Sequence, residues 1–403
     1  MSFEIRTCEP GELADALRPI SQYFGVSPTP DDVARFVPLL PEERMHTARE
    51  SGGIVGCAGV IPFELTVPGA RMPAAGVTCV GVDPTHRRQG ILRSLMRAQL
   101  DDVHERGEPL AVLWAADERI YGRFGYGISS LTGELQLDHE HDAFRLPVEG
   151  PESMRLIDHV EAFELFPGVY DVVRAVTPGM CSRSPDWWEL HRLADRPEDR
   201  RGAGVLVHAL AERGGEPVGY ALYRHRTAFA EGRSDSTLEV VEAMGADAPA
   251  TAKIWRFLLD VDWIARLTAR LLPLDHPLFL LLDEPRRMRF RVGDGLWLRL
   301  VDVEAALAAR SYASSEPLVL ELVDDFCPWN EGRYLIERGG VERTRSEPDL
   351  RLAAADLAGP YLGGFSFAQL ARAGLLEELR EGAPARADAL FRSERAPWCP
   401  EIF

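Results

Sequence analysis

Residues 77–96, VTCVGVDPTHRRQGILRSLM, most constrain what this chain can fold into, because a β-rich run passes through arginines and one glycine straight into a helical repeat. Val77, Val80 and Val82 favour extended backbone, and Pro84 with Thr85 ends the strand. Ile91, Leu92, Leu95, Met96, Leu100 and Val103 then recur at helical spacing until Gly107 supplies a stop. The first N–H groups of such a helix have no partner inside it, the peptide dipoles add partial positive charge there, and Gly90 lets a bulky anion approach the backbone. Arg87, Arg88 and Arg93 bring charge-assisted donors to the same point. A pyrophosphate fits that end. R-R-Q-G by itself is equally compatible with a solvated arginine cluster at an ordinary strand-to-helix turn.

At 403 residues and 46% hydrophobic composition, the chain has material for two or three domains with their own cores. No apolar run approaches the roughly 20 residues of a membrane helix, and MSFEIRTCEPGELADAL lacks the basic and apolar regions of a signal peptide. A cytoplasmic protein is expected. Cys8, Cys57, Cys79, Cys181, Cys327 and Cys399 are scattered without C-x-x-C or metal-ligand spacing, which reads as buried, reduced thiols and no metal. The net charge of −18 argues against nucleic acid and anionic membrane surfaces as partners and suits a cationic substrate, although solubility alone accounts for such a charge equally well. Lys253 is the single lysine, which a GC-rich genome explains.

The expected fold class is α/β (α+β) in three parts. Residues 1–147 begin with the strand EIRTC, the helical stretch 10–24, a hairpin turning at Ser51-Gly52-Gly53, and the strand RMPAAGVTCVGV that feeds the cradle. The apolar run PLAVLWAAD (109–117) reads as a buried strand, and ERIYGRFGYG follows it. Residues 148–290 repeat this order: ALAERGGEPVGYALYR (209–224) is similar to ARESGGIVGCAGV (48–60). Where the repeat should supply a phosphate loop it reads GADAPAT (245–251), with no arginine and with Asp247, an acid that repels an anion. This half is expected to be silent toward such a ligand. Residues 291–403 carry the strand DGLWLRLVD, the helix VEAALAAR, two further strands and a helix SFAQLARAGLLEEL. Trp297, Leu298, Leu300 and Val301 read as core rather than as a lipid pocket.

Arg87-Arg88-Gln89-Gly90-Ile91-Leu92 after a V-x-V strand resembles the acetyl-CoA loop of the GNAT N-acetyltransferases, with Leu92 where most of the superfamily has Gly or Ala. PTHRRQGILR (84–93), IYGRFGYG (120–127), DGLWLRLVDVEAALAARSYA (294–313) and YLGG (361–364) resemble, in order, segments of the Eis (enhanced intracellular survival) family, in which a bulky residue at that position is usual. That resemblance implies two tandem GNAT-like domains and a sterol-carrier-like domain. It implies acetyl-CoA as donor, with Val80, Gly81, Val82, Arg88, Gln89, Gly90, Ile91, Leu92, Arg93, Ala116 and Asp117 along its binding channel.

Two tyrosines, Tyr121 and Tyr126, offer a phenol to the leaving thiolate; the family alignment points to Tyr121, leaving Tyr126 as an aromatic packed beneath the loop. It also implies the free α-carboxylate on Phe403 as the group that handles the amine, a role for which Trp398, Pro397 and Pro400 give an apolar, stiffened tail. Glu401 offers further negative charge near that carboxylate but reads rather as surface-solvated. The implied reaction is direct acetyl transfer to amines of aminoglycoside, polyamine or lysine type, without an acyl-enzyme, by a homohexamer. The alternative is a lipid-binding or scaffolding protein whose acetyltransferase halves are relics.

Overall fold

The computed structural model describes residues 3–403. They form two compact units: the chain up to Ser130 with Leu296–Glu394 and Ile402–Phe403, and Leu131–Gly295 with Arg395–Glu401.

The first unit contains a seven-stranded sheet in the order Glu4–Thr7, Met45–Glu50, Gly53–Val67, Ala70–Val82, Leu110–Leu113, Trp297–Leu300, Gly127–Ile128. Neighbours are antiparallel except Ala70–Val82 and Leu110–Leu113, which run parallel. The expected hairpin turns at Ser51 and Gly52, both at positive φ. Helix Ile91–Glu105 buries Met96, Leu100 and Val103 completely against Val60, Ala75 and Val77 of the sheet. Each such side chain contributes about 1.5–3 kcal/mol, so the helix start is fixed to the sheet by its apolar stripe.

A second sheet, of five strands, follows in the same unit: Gly340–Arg343, Gly332–Glu337, Leu318–Val323, Leu350–Ala353, Leu376–Glu378. The expected helix over SFAQLARAGLLEEL is shorter than its apolar stripe: it runs Phe367–Ala373, stops at Gly374 (φ +72), and Leu376–Glu378 becomes the edge strand. The left-handed glycine ends the helix where periodicity alone continues it.

The second unit repeats the first sheet's strand senses in Glu152–Ile157, Val207–Arg213, Glu216–Arg226, Thr237–Gly245, Arg266–Leu272, Leu131–Asp138, Arg291–Asp294; the first five follow chain order in both sheets, but the sixth here precedes them in the chain, where the first sheet's sixth, Trp297–Leu300, comes last. Its one parallel pair, Thr237–Gly245 with Arg266–Leu272, occupies the matching place. The strand expected over DGLWLRLVD is shorter, Trp297–Leu300, and pairs with Leu110–Leu113, whereas the first residue of that segment, Asp294, ends a separate strand, Arg291–Asp294, that pairs with Leu131–Asp138. The hydroxyls of Ser129 and Ser130 fasten the re-entry of the chain at Leu296, Ser129 donating to its carbonyl (2.7 Å) and Ser130 accepting from its N–H (2.9 Å). Trp297, Leu298, Leu300 and Val301 are buried. Among the described residues, no helix is long and apolar enough to cross a membrane.

Candidate active site

The parallel strands Ala70–Val82 and Leu110–Leu113 pair only from Ala74 to Gly76 and then part. Just past the parting, Thr78 faces Gly59 and Gly81 faces Cys57, so Cys79 (φ +51) and Val80 stand opposite a single residue in a β-bulge. The bulge turns Val80, Gly81 and Val82 toward the opening, where they line a cavity of about 530 Å³. Ala116 and Asp117 line it from beyond the end of the neighbouring strand.

The turn DPTHRRQG is built residue by residue. Asp83 accepts from the Thr85 N–H (2.9 Å) and from its hydroxyl (2.6 Å), bonds that hold its carboxyl below the usual range. Pro84 opens the short 3-10 turn, and His86 is tied to Glu50 at 3.0 Å. Arg88 (φ +61) and Gly90 (φ +85) then take left-handed backbone, and Gly90 caps the helix without a side-chain bond. The first helical bond runs from the Ser94 N–H to the Gly90 carbonyl, leaving the N–H groups of Ile91, Leu92 and Arg93 outside the ladder. A Cβ on Gly90 would meet no atom within 4 Å, so the space in front of these donors is open. Arg87, Arg88, Arg93 and Arg123 line the same cavity. These are the features that a pyrophosphate-bearing cofactor requires. Gly90→Ala is expected to weaken acetyl-CoA binding about tenfold, equivalent to ~1.4 kcal/mol, by strain at φ +85 and by a methyl in the approach path. Calorimetric titration checks it.

Tyr121 ends the short helix Glu118–Tyr121, which Asp117 caps by accepting from the Arg119 N–H. Its ring is in the cavity wall and 8% exposed, and burial, with Asp117 adding to it, pushes the phenol up to about 12. Tyr126 packs edge-on against it, centroids 6.0 Å apart, but is outside the cavity lining, with its hydroxyl buried and unpartnered. The turn before Tyr126 is set by Arg299, fully buried and ion-paired with Asp324 at 2.5 Å; a Cβ on Gly125 would fall 2.2 Å from that guanidinium.

Of the residues expected along the channel, Gln89 does not line the cavity, and neither does Phe403, whose carboxylate is expected to handle the amine. Phe403 packs edge-on against Phe63, centroids 5.0 Å apart. Phe63 in turn covers Gly76, where a Cβ would lie 2.4 Å from its ring, and Gly76 is the last residue at which the parallel strands pair. Glu401 is not solvated as the sequence reading has it: its side chain is fully buried and paired with Arg183 and, at 2.6 Å, Arg192. Asp247 caps helix Ala248–Leu259 by accepting from the Ala250 N–H and forms a two-pronged ion pair with Arg213 (2.9 and 3.0 Å). The reading of the sequence missed Ile20, Tyr23 and Phe24, which close the cavity from helix Leu13–Tyr23 and the residue after it. Tyr23 also seats Arg87, whose guanidinium lies 4.6 Å from its ring centroid. A consecutive pair of aromatics at a helix end was the available signal.

A bulged, parting parallel pair that hands over to an uncapped helix is the architecture of a GNAT acyltransferase domain, and the comparisons agree. GNAT acetyltransferase domain models match residues 4–129 and 179–300, and a sterol carrier protein domain model matches residues 303–400. An uncharacterized N-acetyltransferase of Streptomyces avermitilis is 41% identical over 95% of both chains. The N-acetyltransferase Eis of Mycobacterium tuberculosis is 32% identical over 96% of this chain and 94% of its own. Eis1 from Mycobacterium abscessus superposes with a TM-score of 0.87 at 33% identity, covering both chains entirely. The chain belongs to the Eis family of GNAT N-acetyltransferases. It is an N-acetyltransferase, and the carrier-only alternative falls away.

Proposed function

We propose that this enzyme moves the acetyl group of acetyl-CoA directly to a primary amine of a cationic substrate of aminoglycoside, polyamine or lysine type. The observation that carries the reading is the uncapped start of helix Ile91–Glu105, facing a 530 Å³ cavity that also holds Tyr121. Acetyl-CoA, when bound, supplies an activated thioester and the anionic phosphates that this cradle suits. The N–H groups of Ile91–Arg93 and the side chains of Arg88 and Arg93 hold those phosphates, while Val80–Val82 offer main-chain groups along the parting edge. One N–H of that edge polarises the reacting carbonyl. Tyr121 shares its phenolic proton with the leaving sulfur, and no cysteine acts as a nucleophile.

The carboxylate that a chain ending at Phe403 carries binds the ammonium and relays its proton. Residues 148–290 do not bind CoA, because Asp247 already occupies the helix start that would receive phosphate. The net charge of −18 supports a cationic substrate, and the family resemblance supports a cytoplasmic homohexamer.

Thiol release measured across an amine panel tests the reading. Aminoglycosides and polyamines are expected to outpace neutral monoamines, with a lead that shrinks as salt screens the protein's field. Absence of thiol release with every amine overturns it.

A further inference from the structure

In the second unit the parallel strands Thr237–Gly245 and Arg266–Leu272 pair only over Thr237–Val240 with Arg266–Ala269, then part just as their counterparts do. This opening is filled. Residues 240–243 on one strand, residues 269–272 on the other, and Trp398 and Pro400 together line a void of only about 10 Å³. The Trp398 indole N–H donates to the Leu271 carbonyl at 2.5 Å, and its backbone N–H donates to the Pro178 carbonyl at 2.8 Å. Gly179, at φ +91, makes that approach sterically available, since a Cβ there would be 3.0 Å from the Trp398 carbonyl.

Three residues along the tail, Glu401 enters a buried network. It accepts from Arg183, from Arg192 (2.6 Å) and from the Trp187 indole (3.1 Å). Arg192 also donates to the Pro400 carbonyl at 3.1 Å. Glu242 balances the two arginines, taking bonds from Arg183 and Tyr220, and Arg183 is sandwiched against Tyr170 and Trp188. Two guanidinium and two carboxylate groups make the cluster neutral, so each charge has a partner and neither arginine can be left alone cheaply. A tail merely resting on a surface would not require such a site.

We propose that the parting end of the second sheet is a docking site for the chain's own C-terminal segment, and that Glu401 is the positioning residue through which it holds Phe403 for the reaction. The gap that in the first sheet stays open for a cofactor is here taken up by Trp398–Pro400, and Phe403 is two residues beyond the buried Glu401 anchor. The positioning role rests on the proposed use of the Phe403 carboxylate.

Hydrogen exchange of residues 395–403, kcat and acetyl-CoA affinity, all measured on the full chain, test it. Glu401→Gln is expected to raise tail exchange tenfold or more and lower kcat at least tenfold, with acetyl-CoA Kd within about twofold; Glu401→Asp should recover part of kcat. Trp398→Phe, which deletes the indole N–H and replaces the indole with a smaller phenyl ring while leaving the Arg183–Arg192–Glu242–Glu401 groups intact, supplies the same comparison with less disturbance of the network and is expected to shift both readouts in the same direction. Unchanged tail exchange in both variants overturns the docking site. Raised exchange with unchanged kcat overturns the positioning role; if a chain extended past Phe403 is nevertheless inactive, the carboxylate reading survives that loss, and if it is active, both fall.

Discussion

Tyr121→Phe is expected to lower kcat by about 10²- to 10⁴-fold while leaving the acetyl-CoA Kd within about twofold, because the ring that lines the cavity stays and only the phenolic hydrogen goes. Burial raises the Tyr121 phenol to about 12, so it holds its proton throughout the working pH range and would begin to lose it only well above pH 10. Complete transfer from such a phenol to a thiolate whose acid is near 8.5 is uphill by about 5 kcal/mol. Tyr121 therefore acts by sharing the proton with the developing sulfur charge, the proton released from the amine replenishing it. Loss of the Tyr121 proton should accordingly put no falling limb on the pH profile of kcat below pH 10, and the variant's profile should keep the wild-type shape. Tyr126→Phe is the control: its hydroxyl is buried without a partner, so its removal costs little stability or even adds some, and activity should persist. A Tyr121→Phe enzyme at full turnover would take the acid role away from this residue.

The features legible in the sequence were those that one segment carries by itself. The strand, its end at Pro84 and Thr85, the glycine at position 90 and the apolar stripe of Ile91–Glu105 all lie within residues 70–105, so local rules suffice for them. Asp247 was legible as an acid at a helix start for the same reason. Strand exchange was not, because alternation tells which face of a strand is buried and is silent about which sheet it joins; in DGLWLRLVD only Asp294 ends a strand of one sheet, and Trp297–Leu300 belongs to the other. Glu401 was misread because a carboxylate near a chain end is ordinarily solvated. Its burial depends on Arg183 and Arg192, more than two hundred positions earlier, and no periodicity links them. The Tyr23 and Phe24 rim escaped notice since aromatics at the end of an amphipathic helix read as core, whereas here they are 53% and 63% exposed at the cavity mouth.

Extending the chain past Phe403 is expected to reduce kcat by about 10²- to 10³-fold, raise KM for cationic amines and leave acetyl-CoA binding unaltered. An amine of pKa about 10.4 is neutral in only about one molecule in a thousand near pH 7.4, a deficit of about 4 kcal/mol, and a group that binds the ammonium and relays its proton recovers part of it. Phe403 packs edge-on against Phe63, and Phe63 covers Gly76, so Phe403 is packed at the closed end of the parting strands, upstream of the Val80–Val82 edge. An added peptide bond both removes the charge from that point and places more chain where the ring must seat. The two effects separate by ligating a synthetic C-terminus that ends in Phe403 carboxamide: length and ring packing are then retained, and only the negative charge is lost. If the carboxamide is as impaired as the extended chain, the charge carries the effect. If it is fully active while the extension is not, packing of the ring against Phe63 is what the extension destroys, and the proton must leave the amine by another route.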